Sequence, residues 1–197
     1  MNTKEQKLLR IKSLADESAV LRRFVAEQLG QQILDLAAIF SGVIGSGGKI
    51  LTAGNGGSAA EASHFATELI VRLTSERNRQ ALPAICINVD TSVLTAAGND
   101  FGFENIFARQ VEGLANKGDL LFVFSTSGNS MNLVKAVQTA REKSVLTAAM
   151  LGGKGGELVK AVDRALVVPH PSTQRIQEEH LFLLHMLVEL IEGDLFG

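Results

Sequence analysis

A doubly wound α/β fold with five parallel strands is what the sequence predicts, and three observations predict it. After Gly45-Ser46-Gly47-Gly48, short apolar runs alternate with stretches of helical spacing, the pattern of a parallel sheet covered by helices on both faces. The first of these runs ends in the glycine turn Gly54-Asn55-Gly56-Gly57-Ser58 and opens into a helix, a junction at which backbone N–H groups converge on an anion. The chain has 197 residues and is 46% hydrophobic, enough for one well-buried core and too short for two. One domain over 1–197 is expected, with N-terminal helices over 1–45 and an α/β core over 46–197.

The elements follow in order. From residue 4 to about 45, Leu8, Leu9, Ile11, Leu14, Ala15 and later Ile33, Leu34, Leu36, Ala37, Ile39 and Phe40 recur at helical spacing among charges. Gly30 suggests a break into two helices. The first of them is more apolar than cover for one small sheet requires, which suggests packing against another subunit. Strands are expected over 49–53, 84–88, 119–124, 145–150 and 164–168. The helices that follow them are expected over 59–73, 91–97 with 106–114, 132–142, 157–162 and 173–195. In a doubly wound sheet, ligands bind at the carboxyl ends of the strands.

Composition narrows the function. A formal charge of -2 supplies no long-range field for nucleic acid or an anionic membrane, and the absence of Trp and Tyr leaves little aromatic surface for stacking bases. The N-terminus is polar and charged, and no apolar run reaches the roughly 20 residues of a membrane span. A cytoplasmic location is expected. Cys86 is the single cysteine and lies between Ile85 and Ile87, so it reads as a buried strand residue rather than a catalytic thiol.

Three loops at or near strand ends are rich in small polar residues and are the candidates for the chemistry, with a fourth, glycine-rich loop to be weighed beside them. The glycine turn is a cradle for phosphate or sugar hydroxyls. Ser125-Thr126-Ser127-Gly128-Asn129-Ser130 offers hydroxyls and helix-start N–H groups that enclose a phosphate without a lysine; its plain alternative is helix capping by Ser130. In Gly98-Asn99-Asp100, Asp100 can orient a sugar hydroxyl, although spacing alone favours a turn between two helices. Gly152-Gly153-Lys154-Gly155-Gly156 lacks the closing Lys-Ser/Thr of a nucleotide-binding loop and ranks behind the serine loop.

Two helices carry groups able to move protons or hold a metal. His64 and Glu68 are four residues apart and share a face; a surface ion pair is the plain alternative. The final helix carries Gln177, His180 and His185 among Leu181, Leu183, Leu184, Leu187 and Val188, and a histidine in such a setting is more often a hydrogen-bonded core residue than a catalyst. Gln177 and His185 are about 80° apart around the axis and two turns apart along it. With His64 and Glu68 they can form an N/O site for zinc, with Gln an unusual ligand. Equally, Glu68 and His185 can be a base and an acid working without metal.

The stretches AGNGGSAAEASHFATEL, AAGNDFGFENIFARQ, STSGNS and RIQEEHLFLLH resemble those of the phosphoheptose isomerases, single-domain members of the sugar isomerase (SIS) family, and the resemblance runs from about residue 47 to 196. It implies a flavodoxin-like fold and a homotetramer with active sites shared between subunits. It also implies isomerisation of sedoheptulose 7-phosphate to D-glycero-D-manno-heptose 7-phosphate through an enediol, a step towards the heptose of bacterial lipopolysaccharide. By position it implies substrate contacts at Asn55, Gly56, Gly57, Glu68, Asn99, Asp100, Ser125, Thr126, Ser127, Ser130 and Gln177. The zinc ligands of metal-containing members fall on His64, Glu68, Gln177 and His185, and the base and acid on Glu68 and His185. His180 matches no assigned role and reads as structural. Between Arg72 and Pro83 the chain is a few residues longer than the family pattern. Two rivals share the fold: a non-catalytic SIS protein that associates with the replication initiator, disfavoured because Glu68 and His185 are both present, and a sugar-phosphate-sensing regulatory domain, disfavoured because there is no room for a DNA-binding partner domain.

Overall fold

The structure, a computed structural model, describes residues 3–197. It opens with one 42-residue helix, α1 (Lys4–Gly45). A capping box starts the helix: Gln6 N–H donates to the Thr3 hydroxyl and Thr3 N–H to the Gln6 side chain. The break expected at Gly30 does not occur, because one glycine costs a helix only about 1 kcal/mol and nothing packs against that position to bend it. The second half of α1 buries Ile33, Leu36, Ala37 and Phe40, while Leu8, Leu9, Ile11 and Val20 in the first half are exposed.

The remaining elements are β1 (Ile50–Gly54), α2 (Gly57–Ile70), β2 (Ala84–Cys86), α3 (Thr91–Phe101), a short 3-10 turn, α4 (Ile106–Leu114), β3 (Leu120–Ser125), α5 (Met131–Glu142), β4 (Leu146–Gly152), α6 (Leu158–Ala161), β5 (Arg164–Val168) and α7 (Thr173–Phe196). All five expected strands are present and pair in parallel in the order β2-β1-β3-β4-β5, so the doubly wound α/β expectation is borne out. The order reverses between β1 and β3, and a crevice at their carboxyl ends follows from that reversal.

Successive residues of each strand face opposite sides of the sheet, and the core divides accordingly. On one side Ile50, Phe122, Phe124 and Met150 pack under α1, α2 and α7. There Phe40, Phe65 and Phe122 meet edge to face at centroid distances of 5.0–5.5 Å, the favourable aromatic geometry. On the other side Leu51, Val123, Ala149 and Leu151 pack under α3 to α6. Cys86 is buried in β2, as expected. Among the described residues no helix is long and apolar enough to cross a membrane.

Asp119 ties the amino ends of β1 and β3 together. It accepts from Lys49 Nζ at 2.5 Å, from Lys49 N–H at 3.0 Å and from Asn116 N–H at 2.7 Å. Burial alone raises its carboxyl, but these donors outweigh it and hold the group below the usual range. A depressed folded value means stability present above the unfolded value of about 3.9 and lost as pH falls through the folded one. Asp119→Ala strands two backbone donors and should cost about 1–3 kcal/mol by urea denaturation at pH 7, with the difference from the parent chain shrinking as the pH is lowered towards 3.

Candidate active site

Glycine makes the turn after β1 possible. Gly56 has φ of 57°, in the left-handed region that glycine adopts without steric cost. A Cβ on Gly54 would lie 2.3 Å from the Ser58 carbonyl oxygen, and one on Gly57 would lie 2.1 Å from Gln177 Nε2. The close approach at Gly57 brings the Gln177 amide of α7 onto the first turn of α2. Asn88 braces the same turn, donating to the Gly54 carbonyl at 2.7 Å and accepting from Gly54 N–H at 3.0 Å. The amides of Asn55 and Asn132 exchange a pair of hydrogen bonds at 2.9 Å, joining the turn to the start of α5.

Further along α2, His64 and Glu68 turn towards α7. His64 Nε2 lies 3.4 Å from Glu68 Oε1 and 2.8 Å from His185 Nε2, and the two imidazoles meet edge to face. One ligand atom from each of His64, Glu68 and His185 falls within 4.8 Å of the others. At 2.8 Å, one imidazole donates and the other accepts. His185 is held below the ordinary histidine value, first because burial disfavours its charged form and then because His64 faces it, with Glu68 pulling the other way. Neutral imidazole is the form a metal ligand requires. Two nitrogens and a carboxylate oxygen are donors that zinc accepts, and Gln177 lines the same cavity with His64, His185, Gly57 and Glu61. The donor set therefore fits a zinc ion.

Glu61 was not singled out in the sequence. It lies on the same face of α2, one turn before His64 and seven residues before Glu68, and that periodicity is the signal that would have found it. Its carboxylate is buried 3.5 Å from His180 Nδ1. His180 Nε2 lies 3.1 Å from the Leu151 carbonyl, which only accepts, so this nitrogen carries the proton. Fully buried and hydrogen-bonded, His180 has the setting expected of a structural histidine.

The serine loop follows β3. The Ser125 hydroxyl accepts from Gly128 N–H at 3.0 Å and that of Ser127 from Asn129 N–H at 3.2 Å. Ser130 stands at the N-cap of α5, but its side chain makes no cap hydrogen bond, contrary to the capping alternative. The Gly152-Gly156 loop supports the serine loop rather than forming a second cradle. Leu158 N–H donates to the Gly128 carbonyl at 2.9 Å and Glu157 N–H to Asn129 Oδ1 at 3.0 Å, and a Cβ on Gly128 would strike the Gly155 carbonyl.

Asn99 and Asp100 lie elsewhere. They belong to the last turn of α3 and not to a loop, because Asp90 caps the start of that helix and Gly102, with φ of 85°, ends it. Both are exposed, Asn99 donating to Asp100 Oδ1 at 2.8 Å. α3 covers the face of the sheet opposite α2 and α7. Asp100 lines a separate, mainly apolar cavity of about 560 Å³ between the β2 edge, α3 and α4.

Comparisons with known proteins agree with this fold. Residues 14–152 match the family model described as the SIS domain. The phosphoheptose isomerase of Chlorobaculum parvum is 48% identical over 177 residues, 89% of this chain and 85% of the relative. The phosphoheptose isomerase structure from Francisella tularensis superimposes with a TM-score of 0.90 at 36% identity, covering 95% of this chain and 98% of that one. The one from Neisseria gonorrhoeae does so with a TM-score of 0.88 at 38% identity, covering 94% and 98%.

Two outcomes follow from the site's geometry. Gly57→Ala displaces the Gln177 side chain while leaving backbone contacts intact; turnover of a heptose phosphate should fall about 10-fold or more, with the thermal midpoint shifting by less than about 3 °C. Because His185 is depressed, the unfolded chain binds its proton first on acidification. Stability is then full above the unfolded value of about 6.5 and falls as pH drops through it. Urea denaturation of the metal-free chain between pH 7.5 and 5 should show that loss, and His185→Gln should flatten it.

Proposed function

We propose, from the premise that the chain belongs to the SIS domain family and within it to the phosphoheptose isomerases, sugar phosphate isomerases by name, that it interconverts sedoheptulose 7-phosphate and D-glycero-D-manno-heptose 7-phosphate through an enediol. The observation that carries this reading is the meeting of His64, Glu68 and His185 across α2 and α7. Isomerisation of a ketose to an aldose transfers a proton from C1 to C2, which calls for a base that reaches both carbons and a polar group beside the two oxygens. Glu68 takes the C1 proton and returns it to C2. His185, the acid of the pair, protonates the C2 oxygen as the enediol forms and takes the proton from the C1 hydroxyl as the enediol collapses, so the oxygens exchange a proton as the carbons do. Zn2+, held by His64, Glu68, Gln177 and His185, would supply Lewis-acid polarisation of the carbonyl.

Ser125, Thr126, Ser127 and Ser130 bind the phosphate at the start of α5, where the helix dipole and the O–H donors of these side chains favour an anion. Asn55, Gly56, Gly57 and Gln177 hold the sugar. Phosphate binding far from the reacting carbons supplies energy that positions them. Asn99 and Asp100 complete the site from a second copy of the chain, a reading supported by their exposure on the face of the sheet opposite His64. The exposed apolar residues along the first half of α1 support burial against further copies, in a homotetramer. The proposed setting is the cytoplasm, feeding heptose into surface glycans. The non-catalytic alternative is set aside, since the acid and base that it would lack are both present and adjacent.

Glu68→Gln tests the assignment. With Glu68 as the base, kcat for sedoheptulose 7-phosphate should fall by about two to four orders of magnitude while circular dichroism and the thermal midpoint hold. Unchanged turnover would remove Glu68 from the mechanism. Chelation followed by zinc add-back, with activity and metal content measured on each sample, separates a metal-assisted reaction from acid–base chemistry alone.

A further inference from the structure

The segment between α2 and β2 contains Arg79, whose guanidinium is 1% exposed in an otherwise mostly exposed stretch. The last carbonyls of a helix have no partner within it. At the end of α2 two of them, from Glu68 and Leu69, accept from Arg79 Nη2 and Nη1, each at 2.8 Å. Nη1 also donates to the Gln80 carbonyl at 2.9 Å. Arg79 Nε donates to Glu192 Oε1 of α7 at 2.6 Å, and the Glu192 side chain is itself only 4% exposed. Leu73 N–H donates to the same carboxylate at 3.3 Å, and Arg77 Nη1 donates to the Glu192 backbone carbonyl at 2.5 Å.

A buried arginine fork thus holds the carboxyl end of α2 on one side and the body of α7 on the other. The cation also complements the negative end of the α2 dipole. One of the two carbonyls it holds belongs to Glu68, whose side chain stands in the site. Glu192 lies seven residues beyond His185, two turns along α7 and only about 20° away around its axis. The fork therefore spans the same two helices, on the same side, as the His64–His185 contact. Lysine, with one charged nitrogen, does not reproduce a fork that binds two helix-end carbonyls and a carboxylate together.

We infer that Arg79 and Glu192 are positioning residues that set the separation of Glu68 and His64 from His185. The inference rests on the isomerase reading for its catalytic consequence and on the geometry of the three-residue cluster for its metal-binding one. The serine loop on β3 and α5 makes none of these contacts, so the clamp governs the reacting end of the substrate and not the grip on its phosphate.

The test is to prepare Arg79→Lys and Glu192→Gln in the full chain. Three properties are measured: the thermal midpoint, kcat and KM for sedoheptulose 7-phosphate, and Co2+ affinity from the visible absorption of the bound ion. Loss of a group that orients a ligand characteristically costs about 10- to 100-fold in metal affinity or activity. The expected result is a fall of that size in kcat and in Co2+ affinity, with KM changed less than about two-fold, in protein that remains folded. Wild-type kcat and Co2+ affinity in a folded variant would overturn the inference, as would a raised KM with kcat intact. If Arg79→Lys does not fold, Glu192→Gln, which preserves side-chain size, decides by the same readouts. A parent chain that binds Co2+ but does not convert the heptulose phosphate would overturn the proposed function, while Co2+ affinity in the variants would still decide the clamp.

Discussion

The proposed chemistry of this chain depends on one packing contact, that of α2 against α7 over the phenylalanine face of the sheet. His64 and Glu68 come from one helix, Gln177 and His185 from the other, with more than a hundred residues of chain between them. Neither helix presents a site alone. Phe65 on α2 sits in the aromatic cluster with Phe40, Phe122 and Phe124, and Leu183, Leu184 and Leu187 on α7 bury themselves in the same core. Burial of this kind is non-directional and does not choose among small shifts of one helix along the other. Contacts at each end of the pair do: the close approach of Gln177 to Gly57 at the start of α2, and the hydrogen bond of Arg79 to Glu192 at its finish.

Strand position was legible in the sequence because fully buried parallel strands read as apolar runs, and the five runs marked the five strands to within two residues. The largest differences, two residues each, are at the ends of β2 and β4, and the first has a local cause. Asn88 was expected within the strand, but its side-chain amide bonds both the N–H and the C=O of Gly54, taking over from the backbone pairing that would have continued the ladder. Helix boundaries set by capping were harder to read. The expected turn at Asn99-Asp100 is helical because the stopping signal is the glycine at 102 rather than the one at 98, and a glycine inside a helix is indistinguishable by type from one that ends it. Gly30 misleads for the same reason.

The candidate site was legible in its types and spacing, and less so in its contacts. The i, i+4 pair on α2 and the polar positions on α7 could be identified, but their meeting is tertiary. Arg79 carries no local signal that separates it from surface charges, and Glu61 carries only its helical spacing from His64 and Glu68, since burial of a charged residue becomes apparent only when its partners are placed. The division of the core into two faces has a similar effect. It places Asn99 and Asp100 across the sheet from His64, a separation that reading along the chain does not reveal.

The reciprocal amide bonds between Asn55 and Asn132 bear on how a ligand enters. They join the turn after β1 to the start of α5 with two hydrogen bonds already satisfied within the protein. A sugar hydroxyl that engages Asn55 through the same atoms must displace at least one of them, exchanging one hydrogen bond for another with little net gain. Such a contact discriminates among hydroxyl arrangements without adding much affinity, because a sugar that offers no matching donor and acceptor leaves an amide stranded. Selectivity for the polyol chain and tightness of binding would then reside in different parts of the crevice, and a ligand reduced to its phosphate would keep most of the second while losing all of the first.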